Sequence, residues 1–237
     1  MFIFDPMWFL FMIPPFIFMI YAQAKVHSAF KKYSRVANMH GMTGAKAAES
    51  LLRANALDKV RVECIKRQLG DHYDPRHKVL RLSPEVYSAS SVASLGIVAH
   101  EIGHAVQDKT GYAFLRFRTA LVPAASVGSQ LGWICVIVGL FLAVLFRVTG
   151  LGLIIVWIGI FLFAFAVLFS LVTLPVEFNA SSRARQMLRS TGLVSAKEYE
   201  GVSAVLSAAA LTYVASFFQA LAQLMYFILL AVGLGRR

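Results

Sequence analysis

The chain has 237 residues, of which 58% are apolar, and it carries a formal net charge of +11. So apolar a composition excludes an ordinary soluble globule and predicts several membrane spans with one modest polar domain. The positive charge does not indicate nucleic-acid binding, because most of the 23 lysines and arginines lie in two blocks, between Lys25 and Arg118 and between Arg183 and Lys197. Attraction to anionic membrane lipids explains such blocks.

Four uncharged stretches are each long enough to cross a bilayer, which takes about 20 helical residues. They lie within residues 6–24, 119–146, 148–176 and 201–235. The first could be a cleaved signal peptide, since Ala22-Gln23-Ala24 is typical of a cleavage site. No basic residue precedes the apolar run, however, and this favours an uncleaved anchor. The Pro14-Pro15 pair predicts a kink or an interruption in this span.

Residues 25–118 form the polar domain in this interpretation. Thr43 is a good N-cap for a helix over residues 45–56. Residues 60–65 alternate apolar and polar side chains, residues 79–82 do so in part, and residues 71–75 between them are rich in turn formers. We therefore expect a short antiparallel strand pair joined by a turn. A strand near a metal-binding helix can serve as an edge for an extended substrate.

The functional prediction depends on the segment His100-Glu-Ile-Gly-His104. On a helix, His100 and His104 stand one turn apart on the same face, so both imidazoles can reach one zinc ion. Glu101 lies about 100° around the helix, towards the open side of that ion. This is the ligand pair and general base of a metallohydrolase.

The sequence around this motif also favours a helix. Apolar side chains recur at helical spacing on the face opposite the histidines: Leu95, Val98, Ile102 and Val106. Ser90 or Ser91 can cap the beginning and Gly111 can end it, which predicts a helix of about 18 residues.

The two middle spans are joined by a short turn around Arg147, which predicts a hairpin. The chain then returns near Pro175 to the side on which the hairpin began. Glu177 emerges there, at the beginning of a segment expected to continue as helix to about Arg189. Ser195 and Glu198 predict a capping box for the last helix, which becomes the fourth span.

A catalytic zinc ion keeps three protein ligands and one open position, so a third ligand is needed. The candidates are carboxylates and histidines on both sides of the motif: Asp108, Glu177, Glu198, Glu200, His72, His77 and Glu85. Glu177 is favoured because it lies at the membrane boundary on the same side as His100. Ala180 and Ala184 would also let its helix pack closely. The alternative is that Glu177 only marks the membrane interface.

Several segments in the same order resemble the YugP-like membrane zinc metallopeptidases, and more distantly the gluzincin proteases of the prenyl-protein (CaaX) and HtpX types. They are Asp71–Arg76, Ala99–Asp108, Leu174–Ser181 and Ala210–Ala215. The resemblance implies that His100 and His104 are ligands, that Glu101 is the base and that Glu177 is the third ligand of one catalytic zinc ion.

The chain departs from the broader relatives at Ser181, where they carry an aspartate that orients a ligand histidine. Ser181 or Asn179 is then expected to take over this orienting role. Candidates for contacting substrate or stabilising the oxyanion are His72, Tyr73 and Tyr213, although each is more often a turn, packing or interfacial residue.

We therefore predict a mainly α integral membrane protein with four transmembrane helices and a small α+β zinc-peptidase domain at the membrane surface. The predicted parts are an anchor, a catalytic domain, a transmembrane hairpin, a third-ligand helix with its connector, and a C-terminal transmembrane helix. They cover residues 1–24, 25–118, 119–176, 177–205 and 206–237.

The predicted activity is a zinc-dependent endopeptidase whose partners are membrane lipids and a protein or peptide substrate near the membrane surface, without nucleic acid. The alternatives are a catalytically silent zinc-binding scaffold and a chaperone-like or transport component. The positive-inside rule predicts a bacterial-type cytoplasmic membrane, with the catalytic domain on the cytoplasmic side and both termini outside. The oligomeric state is left open.

Overall fold

The computed structural model describes residues 6–67 and 70–235 of the chain. The described part is mostly helical, as predicted, with a small sheet of three strands. The helices are α1 Pro6–Tyr33, α2 Gly44–Ala54, α3 Pro84–Ser88, α4 Val92–Lys109, α5 Ala113–Val144, α6 Thr149–Ser190 and α7 Ala196–Gly235. The strands are β1 Arg61–Cys64, β2 His72–Asp74 and β3 Val79–Leu82.

Four helices, α1, α5, α6 and α7, are long and apolar enough to cross a membrane. Of the predicted kink or interruption in the first, the interruption is wrong, because α1 is one continuous helix with Pro14 and Pro15 inside it. Each proline removes only one helical hydrogen bond. In an apolar stretch the remaining backbone groups are still best satisfied by the helix, and α1 therefore continues through both prolines.

The chain forms two compact units. We call residues 22–115 and 175–211 the polar unit, and the other described residues the helical unit. The polar unit contains the sheet and α2, α3 and α4, together with segments of α1, α6 and α7. All groups that converge on the candidate site described below belong to the polar unit.

The sheet of the polar unit has the order β1-β3-β2, with β3 parallel to β1 and antiparallel to β2. The predicted antiparallel pairing of residues 60–65 with residues 79–82 is therefore wrong. Residues 72–74, predicted as a turn, form β2 instead, and the tight turn lies at residues 75–78, where Lys78 has a φ of 51°. Because the chain reverses between β1 and β2 and again between β2 and β3, β3 runs in the direction of β1.

Helix α4 lies in the core of the polar unit. Leu95, Val98 and Ile102 are buried, and Val106 packs at the edge of the same cluster. The Ser91 hydroxyl accepts a hydrogen bond from the Ser94 N–H at 3.1 Å and caps the helix, which has the predicted length of 18 residues. Burial of the α4 face opposite the histidines thus fixes the orientation of the helix in the polar unit.

The helical unit has a different kind of packing. A β-carbon added to Gly139 falls 2.6 Å from the carbonyl oxygen of Gly152, and one added to Gly159 falls 2.7 Å from that of Gly132. Small residues therefore let α5 and α6 approach closely as an antiparallel pair. Large apolar side chains such as Phe141 remain exposed on this unit.

Candidate metal centre

Three side chains converge on the polar side of α4. The Nε2 atom of His100 lies 3.2 Å from Oε2 of Glu177, and Nε2 of His104 lies 3.5 Å from the same oxygen. The ligand atoms of these three residues all lie within 4.8 Å of one another. Glu177 is 77 residues from His100 in the chain, and only 3% of its side chain is exposed.

The distances from Glu177 to the two histidines fit a small tetrahedral metal ion. Ligands about 2.1 Å from zinc at tetrahedral angles lie about 3.4 Å apart. The two nitrogen–oxygen distances, 3.2 and 3.5 Å, bracket that value. Two imidazoles and one carboxylate also form a donor set typical of catalytic zinc, which leaves a fourth position for water or substrate.

A close approach of two helices brings Glu177 to the histidines. A β-carbon added to Gly103 falls 2.6 Å from the carbonyl oxygen of Ala180. Ala180 and Ala184 are fully buried. The absence of a side chain at Gly103, between the two histidines, thus allows α6 to lie directly against α4. Glu177 stands almost one turn before Ala180 on that helix.

The other ring nitrogen of each histidine also has a partner. The hydroxyl of Ser181 lies 3.1 Å from Nδ1 of His100, so Ser181 occupies the orienting position considered for it. The amide oxygen of Gln107 lies 3.0 Å from Nδ1 of His104. Gln107 was not among the predicted site residues, although its position three residues after His104 puts both on one helical face.

Asn179, the other orienting candidate, is one step further away. Its side-chain oxygen accepts hydrogen bonds from Nε2 of Gln107 at 3.0 Å and from Nε of Arg183 at 2.8 Å. The Gln107 amide also donates to the carbonyl oxygen of Val176 at 2.8 Å. Asn179 therefore contacts His104 only through Gln107.

Glu101 is partly buried beside the histidines. One of its carboxylate oxygens accepts the backbone N–H of Tyr73, on β2, at 3.1 Å. Burial raises the pKa of the Glu101 carboxyl above its usual value, while His100 and His104 act in the opposite direction without cancelling this effect. The carboxyl is therefore shifted towards the pH range in which a general base works near neutrality.

The pKa of His104 is also shifted. Burial by itself lowers it, but the hydrogen bond to Glu177 and the charges of Glu101 and Glu177 outweigh burial and leave it raised. In the metal-free protein a proton on this imidazole is thus stabilised by the same carboxylate that would share a metal ion with it.

Of the three candidates for contacting substrate, Tyr73 approaches Glu101 with its backbone. Its hydroxyl donates to the Asp108 carboxylate at 2.8 Å, and burial followed by this bond raises its pKa, so it stays protonated. His72 is exposed, and its Nδ1 lies 2.7 Å from the carbonyl oxygen of Gly70. Tyr213 belongs to the helical unit.

The remaining third-ligand candidates are engaged elsewhere or lie outside the cluster. Asp108 pairs with Lys78 as well as Tyr73, and His77 lies 2.7 Å from Asp74. Glu198 accepts the N–H groups of Met39 and Ser195. Within residues 6–67 and 70–235, no second group of three such side chains is placed to hold a metal ion.

The fold and this site define a mostly helical protein with four apolar helices and a donor set suited to catalytic zinc. The chain belongs to the family described as "Putative neutral zinc metallopeptidase", whose model matches residues 8–232. It is 42% identical over 210 residues to the "Putative membrane protease YugP" of Bacillus subtilis (strain 168), covering 89% of this chain and 90% of that one. No solved structure matches the chain.

Proposed function

We propose that the protein is a membrane-embedded, zinc-dependent endopeptidase of the gluzincin type. The observation that carries the proposal is the convergence of His100, His104 and Glu177 beside the Glu101 carboxylate. Membership of a zinc metallopeptidase family and the likeness to a protein named as a membrane protease support the same reaction class.

In this proposal His100, His104 and Glu177 hold one zinc ion. Bound there, zinc supplies a Lewis acid that acidifies water and polarises a carbonyl group. Glu101 takes a proton from the attacking water and then donates it to the leaving amine. The Tyr73 N–H fixes one oxygen of the Glu101 carboxylate during both transfers.

We propose that α1, α5, α6 and α7 cross the membrane and that the polar unit lies at its surface. The large exposed apolar side chains of the helical unit support this, because lipid would cover them. The positive-inside rule then favours the cytoplasmic side for the polar unit and the outside for both termini. Membrane lipids and membrane-associated polypeptides are the expected partners.

An extended peptide near the membrane surface is the proposed substrate. β2 lies at one edge of the sheet and contacts α4 through Tyr73 and Glu101. A peptide can add to such an edge through main-chain hydrogen bonds, with its scissile carbonyl brought to the metal centre. A peptide bound along a strand edge through its main chain can be cleaved at an internal bond, as an endopeptidase requires.

The decisive experiment is to measure metal in the purified full-length protein. We expect about one zinc ion per chain in the wild type. His100→Ala and Glu177→Gln each remove a ligand, so zinc affinity should fall by more than about 10- to 100-fold, which is the loss caused by changing a residue that only contacts a ligand. Glu200→Gln is the matched control, because this exposed carboxylate lies outside the cluster.

Glu101→Gln separates metal binding from chemistry. It should keep the zinc ion and lose about 10²- to 10⁴-fold in peptidase activity. Equal cleavage by Glu101→Gln and the wild type would instead support a silent zinc-binding scaffold. A wild-type protein that binds no metal at neutral pH would move the assignment to a transport or chaperone-like component.

A further inference from the structure

We infer that Gln107 is a positioning residue that fixes which nitrogen of His104 carries the proton. This inference rests on the proposed metal centre. Gln107 is fully buried in the last turn of α4, and its side chain makes three hydrogen bonds. A buried amide of this kind has no water with which to exchange partners, so its orientation depends on those three neighbours.

The orientation of the network follows from two groups whose roles are unambiguous. Arg183 can only donate, so the Asn179 atom that faces its Nε at 2.8 Å must be the side-chain oxygen. The carbonyl of Val176 can only accept. The Gln107 atom that faces both oxygens must therefore be the NH₂ group, at 3.0 Å from Asn179 and 2.8 Å from Val176.

It follows that the Gln107 oxygen faces His104. An amide oxygen accepts and cannot donate, so the 3.0 Å contact with Nδ1 requires a proton on Nδ1. In the neutral imidazole that binds a metal ion, Nε2 is then left with its lone pair, and this is the nitrogen that faces Glu177. Gln107 thus selects the tautomer and the ring orientation that a metal ligand needs.

The two histidines of the site differ in this respect. Nδ1 of His100 faces the Ser181 hydroxyl at 3.1 Å. A hydroxyl can donate or accept, so Ser181 does not impose a tautomer. Of the two histidines, His104 is therefore the one whose tautomer is imposed. The hydrogen bonds that impose it run from Arg183 to Asn179, from Asn179 to Gln107 and from Gln107 to His104.

The test uses the full-length protein in lipid nanodiscs, with isotope-labelled histidine and a spin-active cadmium ion in place of zinc. Nitrogen–cadmium coupling identifies the coordinating nitrogen of each imidazole. In the wild type we expect His104 to bind through Nε2 and to show a protected Nδ1 proton. In Gln107→Met that proton should lose its protection, while the His100 signals stay unchanged.

Zinc affinity, measured by competition with a chelator, provides the second readout. Gln107→Met should bind about 10- to 100-fold more weakly than the wild type. Asn179→Asp keeps an acceptor for both Gln107 and Arg183 and should bind nearly as the wild type does. Asn179→Leu removes that acceptor and should bind more weakly than Asn179→Asp.

Two outcomes overturn the inference. One is a Gln107→Met protein that keeps the protected Nδ1 proton and binds zinc within about twofold of the wild type, where the inference expects a loss of about 10- to 100-fold in affinity. If Gln107→Met does not fold, the other is equal zinc affinity in the two Asn179 variants. A wild-type protein without any zinc affinity contradicts the proposed function itself, so the two failures can be told apart.

Discussion

The polar unit and the helical unit keep their side chains in place by different means. In the polar unit, buried polar groups such as Gln107 and Glu177 have specific partners, and apolar residues of α4 fill one core. In the helical unit, glycines of α5 and α6 touch backbone to backbone, and large apolar side chains face outward. The polar unit therefore holds polar side chains in specific positions, and the helical unit presents an apolar surface that suits the membrane location we propose.

This contrast means that similar substitutions should have different consequences in the two units. A charge should be tolerated on the surface of the polar unit and not on that of the helical unit. A small increase in volume should matter wherever two helix backbones meet. The following predictions begin with the largest expected effect.

The first prediction concerns a charge on the exposed face of the helical unit. Ile154 and Met39 are equally exposed, at 59%, but belong to the helical and the polar unit respectively. Ile154→Arg should cost up to about 3 kcal/mol of membrane insertion and lower the yield in the membrane fraction. Met39→Arg should leave that yield unchanged, and an equal yield of both variants would contradict the proposed spans.

The second prediction concerns the approach of α6 to α4. Gly103→Ala places a methyl group 2.6 Å from the Ala180 carbonyl oxygen, so the helices must separate. We expect a loss of about 1–3 kcal/mol in unfolding free energy. Zinc affinity should fall as well, because Glu177 moves away from the histidines.

Gly96→Ala is the matched control for this substitution. Gly96 lies two turns earlier on the same helix, and an added β-carbon there meets the Val202 side chain at an ordinary 3.5 Å. Its zinc affinity should stay within about twofold of the wild type, since the methyl group fits without moving a backbone. Equal losses in the two variants would show that helix separation is not the cause.

The third prediction concerns pH. An ordinary histidine has a pKa of 6.5, and the pKa of His104 is raised above this in the metal-free protein. A proton therefore competes with zinc at His104 at a pH where an ordinary histidine is already neutral. As the solution is acidified, zinc affinity should begin to fall before pH 6.5 is reached, by about tenfold per pH unit for each proton displaced. An affinity that stays constant down to pH 6.5 would be inconsistent with the raised pKa.

The smallest expected effect concerns the beginning of α7. The Ser195 hydroxyl accepts the Glu198 N–H at 3.3 Å, and Glu198 accepts the Ser195 N–H at 2.7 Å, which forms the predicted capping box. Ser195→Ala should cost about 1 kcal/mol in thermal or denaturant unfolding. Ser129→Ala in α5 is the control and should be almost neutral, because that hydroxyl donates within its own helix, to the carbonyl oxygen of Ser126 at 3.0 Å.

Local patterns predicted much of the fold. The cap at Thr43, the length of α4 and the four apolar helices all follow from short-range spacing and composition. The strand pairing was predicted wrongly, because residues 72–74 look like a turn in sequence. They form β2 only where β3 supplies hydrogen-bond partners, and such a pairing is not encoded locally.

The candidate site likewise has one part that local sequence encodes and another part that depends on tertiary contacts. The spacing of His100 and His104 on one helix, with Glu101 between them, is a local property that the sequence by itself determined. Glu177 could be proposed from the sequence, but its approach to the histidines was decided by the contact of Gly103 with Ala180. The Gln107 network was decided by the tertiary structure alone, because hydrogen bonds between α4 and α6 depend on how the two helices pack and leave no spacing pattern in the chain.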